Sequence, residues 1–250
     1  MAYYIRFAGV SHAGLCRKEN QDHFVCAGQL MESQKALSML VSGQQTAGKN
    51  AFFGVFDGMG GTRQGCKASG IAAEIAAKTP AEKDPIRQLQ SCCIHANSRI
   101  CQLAHPQEVS PPGTTAAMLI FAPRQIALCN IGDSKIFRIS NQRIEQISQD
   151  HILYGPNGER YLTKNLGIPE KQFPLRPYFA RGRYLSGDRY LICSDGLTDM
   201  LTEQEILQIV THYSEKEAVS VLLKAALNRG GKDNISIVLC RIEKRRQKNE

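Results

Sequence analysis

The chain has 250 residues, 42% of them apolar and 22% charged, which fits one large soluble domain with a buried core and excludes a disordered chain. No apolar run is as long as a membrane span, and the start Met1-Ala2-Tyr3-Tyr4-Ile5-Arg6 lacks a secretory layout. The nine cysteines are scattered and never spaced C-x-x-C, so they read as reduced cytosolic thiols, and a net charge of +8 predicts weak attraction to anionic partners.

Tyr3 to Val10 alternates and is rich in aromatic and branched residues, so it reads as a strand. A turn-rich link, Ser11 to Gln21, leads into a second strand, Asp22 to Cys26. Residues 28–50 are polar and read as a long loop without chemistry, with a short helix around 31–41 as an alternative. Ala51-Phe52-Phe53-Gly54-Val55-Phe56 is a buried strand that stops on Asp57, and the glycine-rich turn Gly58-Met59-Gly60-Gly61 follows at once. Ala68 to Lys78 and Pro85 to Leu103 read as two successive helices.

Four short strands come next, Thr114–Phe121, Gln125–Asn130, Lys135–Ser140 and Arg143–Gln146, with links too short for a parallel crossover. All four are therefore expected to pair antiparallel in sequence. Residues 150–188 read as irregular. Arg189 to Ser194 is a buried strand ending on Asp195, and Glu203–Thr211 and Glu215–Asn228 are helices, the first capped by Thr202 with Glu205 three residues on. Asn234 to Ile242 is a core strand. No linker divides the chain, so the reading is a single α+β domain over 1–243 and a basic, solvated tail over 244–250.

Asp57, Asp133, Asp195 and Asp233 each follow or precede an apolar strand beside small or turn-forming residues, so they are expected to converge at one sheet edge. Converging carboxylates raise one another's pKa unless cations neutralise them, and oxygen ligands without a His or Cys cluster select Mg²⁺ or Mn²⁺ over Zn²⁺. His12, His23, His95, His105, His151 and His212 share no spacing and read as surface or packing residues. Ser194 lacks a G-x-S-x-G setting, Cys193 reads as core, and no P-loop is present, which argues against serine hydrolases and nucleotide-dependent kinases.

In chain order, Gly14-x-x-Arg17-x-x-Asn20-Gln21-Asp22, Asp57-Gly58-Met59-Gly60-Gly61, Gly113-Thr114-Thr115-Ala116 and Asn130-Ile131-Gly132-Asp133-Ser134 are followed by Gln149-Asp150-His151, Ser194-Asp195-Gly196-Leu197 and Lys232-Asp233-Asn234. This ordered set resembles the metal-dependent serine/threonine protein phosphatases of type 2C, and Gln21 and Met59 resemble that family's compact bacterial branch. The resemblance implies a four-layer α-β-β-α sandwich, two antiparallel sheets flanked by helix pairs. It also implies a cytoplasmic, monomeric enzyme that binds neither membrane nor nucleic acid and takes phosphate from targets of a serine/threonine kinase.

By the same resemblance, Asp57 bridges two Mn²⁺ or Mg²⁺ ions with the Gly58 carbonyl on one, and Asp195 and Asp233 complete the other. Asp133 and Asp199 match the positions of a third, looser ion. Asp22 orients water, Arg17 grips the substrate phosphate, and Asn234 and Gln21 support the ligands. A hydroxide between the two ions would attack phosphorus with no phosphoenzyme. A second reading is a phosphatase-fold module that binds phosphoproteins without turnover, and a third is a phosphoesterase for small molecules.

The chain also departs from the family. Met59 stands where many relatives place a histidine, and Lys135 replaces a common arginine. The flap from Asp150 to Gly167 is short, where the family usually builds helix. Arg160, Lys164, Lys171, Arg176, Arg181 and Arg183 near it form a basic set that would attract phosphorylated segments or simply be solvated.

Overall fold

Apolar runs buried on both faces make the central strands, and the computed structural model, which describes residues 3–31, 38–47, 51–103 and 111–244, stacks them in two antiparallel sheets. In chain order the first half holds β1 (Tyr3–His12), β2 (Asp22–Cys26), β3 (Gln29–Met31), β4 (Ser38–Thr46), β5 (Ala51–Met59), α1 (Gly61–Lys78) and α2 (Pro85–Cys101). Then come β6 (Gly113–Thr114), β7 (Ala116–Ala122), β8 (Gln125–Ile131), β9 (Lys135–Ser140), β10 (Arg143–Gln146), β11 (Ile152–Tyr154) and β12 (Arg160–Leu162). The last are β13 (Tyr178–Gly182), β14 (Arg189–Cys193), α3 (Asp195–Thr198), α4 (Glu203–His212), α5 (Glu215–Asn228) and β15 (Ile235–Lys244).

One sheet runs β10-β9-β14-β15-β1-β4; the other runs β13-β8-β7-β5-β2-β3, with β6 added beside β5. Strand side chains alternate between faces, which sorts the core into three seams. In β7, Ala117, Leu119 and Phe121 enter the seam between the sheets, while Ala116, Met118 and Ile120 pack under α1 and α2. In β15, Val238, Cys240 and Ile242 join the middle seam, while Ile235, Ile237 and Leu239 pack under α4 and α5. Phe121 meets Phe53 and Tyr190 edge-on at 5.7 and 5.3 Å, joining the two sheets across the centre. The result is the α-β-β-α sandwich. All nine cysteines are free thiols, and burial pushes that of Cys193 up to about 12. No helix among the described residues is long and apolar enough to cross a membrane.

Four expectations need correction. The stretch 28–50 is neither loop nor helix where it is described: β3 and β4 are edge strands, and β4 pairs with β1 from Tyr4↔Thr46 to His12↔Ser38. An edge strand needs no apolar run, because solvent faces part of it, and that hid it; residues 32–37 lie outside the described set. β8 and β9 do not pair. β8 belongs to one sheet and β9 to the other, so Gly132-Asp133-Ser134 steps between layers. Helix α1 begins at Gly61 and not at Ala68, because the glycines past Asp57 are the end of β5 and the entry to the helix, with Gly60 at φ 107°. Residues 150–188 contain the β11–β12 hairpin and β13. The tail beyond Lys244 lies outside the described residues.

Candidate active site

The four aspartates meet at one end of the stacked sheets and not along the edge of a single sheet. Asp57 comes from β5 and Asp133 from the end of β8; Asp195 follows β14 and Asp233 precedes β15. With Arg17, Gly58, Gln21 and Asn234 they line one cleft of about 650 Å³. A larger groove of about 740 Å³ beside Arg124, Arg181 and Arg183 has no carboxylate among its lining residues.

Asp57 is fixed through its backbone. Its N–H donates to Thr115 Oγ1 at 3.0 Å, and its carbonyl accepts from Thr115 N and Thr114 Oγ1, both at 2.9 Å. Thr115 Oγ1 also lies 2.7 Å from Ser134 Oγ, which couples Asp57 to the residue after Asp133. Asp22 pairs with Asp57 across β2 and β5, and Ser194 Oγ donates to Asp22 Oδ2 at 2.8 Å. Gly58 sits where a Cβ would lie 2.2 Å from Gly65 O and 2.6 Å from Gln21 O, so only glycine lets the strand end press against the start of α1. Gly132, at φ 105°, turns the chain between sheets and holds Asp133 in place; its N–H donates to His151 Nδ1 at 3.2 Å.

Burial dominates the electrostatics. Asp57 is raised well above the ordinary carboxylate range, first by burial and then by Asp22, Asp195, Asp133 and Asp233. Burial likewise lifts Asp22 to about 7, against hydrogen bonds from Ser236 and Ser194, and Asp195 to about 7, with Asp133 and Asp199 adding and Arg160 opposing. Asp133 is raised by burial too. An unbalanced cluster of this kind costs several kcal/mol per buried ion, so it needs positive charge.

The chain supplies some itself. Arg17 grips Asp233 with a two-pronged fork, Nε to Oδ1 at 2.9 Å and Nη2 to Oδ2 at 2.7 Å. Arg160, read from sequence as one of a basic set that would attract phosphorylated segments or be solvated, turns to Asp195, to Asp199 at 2.9 Å and to Asp133 at 3.4 Å. Others of that basic set do bond outward: Lys164 to the Arg176 carbonyl and Arg181 to Asp84. With the carboxylates turned to arginines, no three His, Cys, Asp or Glu side chains among the described residues are already disposed around a common ion.

The donor set still fits hard divalent ions. It is all oxygen, and Asp195 Oδ1 is buried without a hydrogen-bond partner, an acceptor that needs a cation or proton. The groups available to hold ions are Asp57, the Gly58 carbonyl, Asp195 and Asp233, with Asp133 and Asp199 at the outer corner. Asn234 supports Asp233 through its backbone N–H and does more with its side chain. That side chain holds the loop that carries Arg17, accepting from Gln21 N at 2.8 Å and donating to the Ala13 and Glu19 carbonyls. Thr115, Ser134 and Ser194 are the supports that sequence reasoning missed. All three stand inside the motifs of the sequence, but nothing local tells which distant group each hydroxyl meets. Of the described histidines, His23 bonds Ser69 at 2.9 Å, His12 accepts from Gly14 N at 2.9 Å, His151 braces the Gly132 turn and His95 is exposed, while His105 lies outside the described residues.

Residues 40–229 match the family described as protein phosphatase 2C. Serine/threonine phosphatase stp of Listeria innocua is 29% identical over 206 residues, covering 74% of this chain and 82% of its own length. Protein phosphatase PhpP of Streptococcus pneumoniae is 31% identical over 203 residues, covering 73% and 82%. The catalytic domain of the serine/threonine protein phosphatase PstP, solved in complex with two manganese ions, superposes with a TM-score of 0.79 at 24% identity and covers 97% of this chain and 100% of its own. At that identity the likeness speaks for the fold.

Proposed function

The chain belongs to the protein phosphatase 2C family, and from that premise we propose that it hydrolyses phosphoserine and phosphothreonine on proteins in one displacement, without a phosphoenzyme, using two Mn²⁺ or Mg²⁺ ions. Its catalytic unit is residues 1–243, and its substrates are targets of a serine/threonine kinase, met in the cytoplasm by a monomer. The observation that carries the reading is the meeting of Asp57, Asp133, Asp195 and Asp233 with Arg17 in one cleft. The two manganese ions of PstP support the choice and number of ions.

Asp57 and the Gly58 carbonyl would hold one ion, and Asp57 with Asp195 and Asp233 the other. When bound, such ions supply Lewis acidity and lower the pKa of water to near neutrality. Loading them requires Asp233 to leave Arg17, and the freed guanidinium fork matches two oxygens of a phosphoryl group. Arg17 is the right group for this because its side chain is more than half exposed at the cleft mouth. Asp22, held by Ser194, would orient the water that such ions bind. Met59 has no proton to give, so the leaving alkoxide takes its proton from water.

Asp57→Asn and Asp195→Asn tests this reading. Each variant should keep its circular dichroism and lose at least about a hundredfold of its phosphopeptide turnover with Mn²⁺, roughly 2.7 kcal/mol of transition-state stabilisation. More than a tenth of the wild-type rate in both would contradict the assignment. No turnover by the wild type would favour the phosphoprotein-binding module.

A further inference from the structure

The short flap is a hairpin with one strong attachment besides its own roots. β11 and β12 pair as Ile152↔Leu162, Leu153↔Tyr161 and Tyr154↔Arg160. Alternation puts Arg160 and Leu162 on one face and Leu153 and Tyr161 on the other. Leu162 lines the cleft, while Leu153 and Tyr161 are 65% and 57% exposed; Tyr154, paired with Arg160 at the end of the hairpin, is 70% exposed as well. The hairpin rises beside Asp133, where His151 N donates to the Gly132 carbonyl at 2.9 Å and Thr163 N to the His151 carbonyl at 2.8 Å. Beyond these roots no other described element packs broadly against it.

Among the described residues its ion-pair contact with the cleft is made by the Arg160 guanidinium. That group touches three carboxylates from separate positions, Asp133 on the step between sheets, Asp195 at the start of α3 and Asp199 at its end. These include the two residues, Asp133 and Asp199, that are available for an outer ion. Arg160 takes Asp133 Oδ2 and Asp199 Oδ1, so a divalent cation there would be left the opposite oxygens and would sit beside a positive charge. The guanidinium and the ion therefore compete for the corner.

We propose that Arg160 is the chain's own cation for this outer corner: it competes with an ion at Asp133 and Asp199 and latches the β11–β12 hairpin over the cleft, so that filling the corner releases the hairpin. The inference rests on the two-ion reading above. It assigns Arg160 a positioning role and makes the exposed Leu153 and Tyr161 face of the flap mobile only when the latch is off.

The test uses the full chain, stripped of metal, as wild type, Arg160→Gln and Arg160→Lys. Mn²⁺ is titrated by calorimetry, and hydrogen exchange is followed at 152–162. Because Arg160 also bonds Asp195, a ligand of the second ion, that ion should tighten too in Arg160→Gln, and a third should bind at least about tenfold more tightly to Arg160→Gln than to wild type. Arg160→Lys should fall between them, since the charge remains but the fork is lost. Without metal, the hairpin should exchange faster in Arg160→Gln than in wild type. Equal third-ion affinity in wild type and Arg160→Gln, or equal metal-free exchange, overturns the latch. Fewer than two ions on the wild type counts against the two-ion reading instead, while the metal-free exchange still decides whether Arg160 holds the hairpin.

Discussion

At the scale of single residues, the site depends on what cannot be changed beside the acids as much as on the acids. Gly58 is the sharpest case. A methyl there would stand 2.2 Å from the Gly65 carbonyl and 2.6 Å from the Gln21 carbonyl, both backbone atoms that cannot rotate away. Gly58→Ala should therefore cost about 1–3 kcal/mol of stability by overpacking, measured by urea unfolding without metal, and should weaken Mn²⁺ binding because the strand end carrying the Gly58 carbonyl must shift. A variant as stable as wild type would mean that this close approach is relaxed in solution. The aspartates themselves were legible, since an apolar run that halts on a carboxylate beside glycine is a local signal. Their supports were not. Ser194 finds Asp22 across 172 residues and Thr115 finds Asp57 across 58, and no spacing rule carries over such separations. Arg160 was legible only as one basic residue among six, because its direction depends on a hairpin whose exposed strands lack the apolar run that marks a core strand.

At the scale of elements, the buried strands and the capped helices were readable because their signals are internal. β9, β10 and α5 begin and end where alternation and caps place them. In α4, Thr202 accepts from Glu205 N at 3.4 Å, and Glu205 answers to Thr202 N at 3.0 Å. Glu205 also receives Arg229 Nη1 at 2.7 Å, which ties the start of α4 to the end of α5. Thr202→Ala should remove about 1 kcal/mol of stability with kcat unchanged, because α4 packs on the sheet face away from the middle seam. A change in kcat with no loss in unfolding free energy would point to coupling between that layer and the cleft. What could not be read was pairing across layers. Brevity of the 132–134 link points to a hairpin, whereas Gly132 at positive φ lets three residues step from one sheet to the other. That step brings Asp133 to the cleft, so the mistaken pairing and the position of the outer acid have one cause.

At the scale of the whole molecule, two sheets whose acid-bearing ends coincide must be held together against their own charge. Asp22 and Asp195 titrate at about 7 when folded, against about 3.8 as ordinary carboxylates, and Asp57 is also raised. Between those values the folded chain keeps protons that the unfolded chain has released, so this contribution is present at low pH and is lost as pH rises through about 7. His12 and His151, lowered by burial, act in the opposite sense below their ordinary 6.5. Comparing Mn²⁺-loaded with metal-stripped protein cancels the histidines, which are common to both. Divalent ions need the ionised carboxylates, so they compete with protons in acid and relieve repulsion near neutrality. The gain in Tm on adding Mn²⁺ should therefore be small at about pH 5 and grow steadily to about pH 7.5, with the metal-stripped protein losing stability over the same interval. Calorimetry at three or four pH values decides it. A Tm gain that is flat across that range would mean that the ions bind away from these buried acids, because only groups titrating within it can make the binding depend on pH.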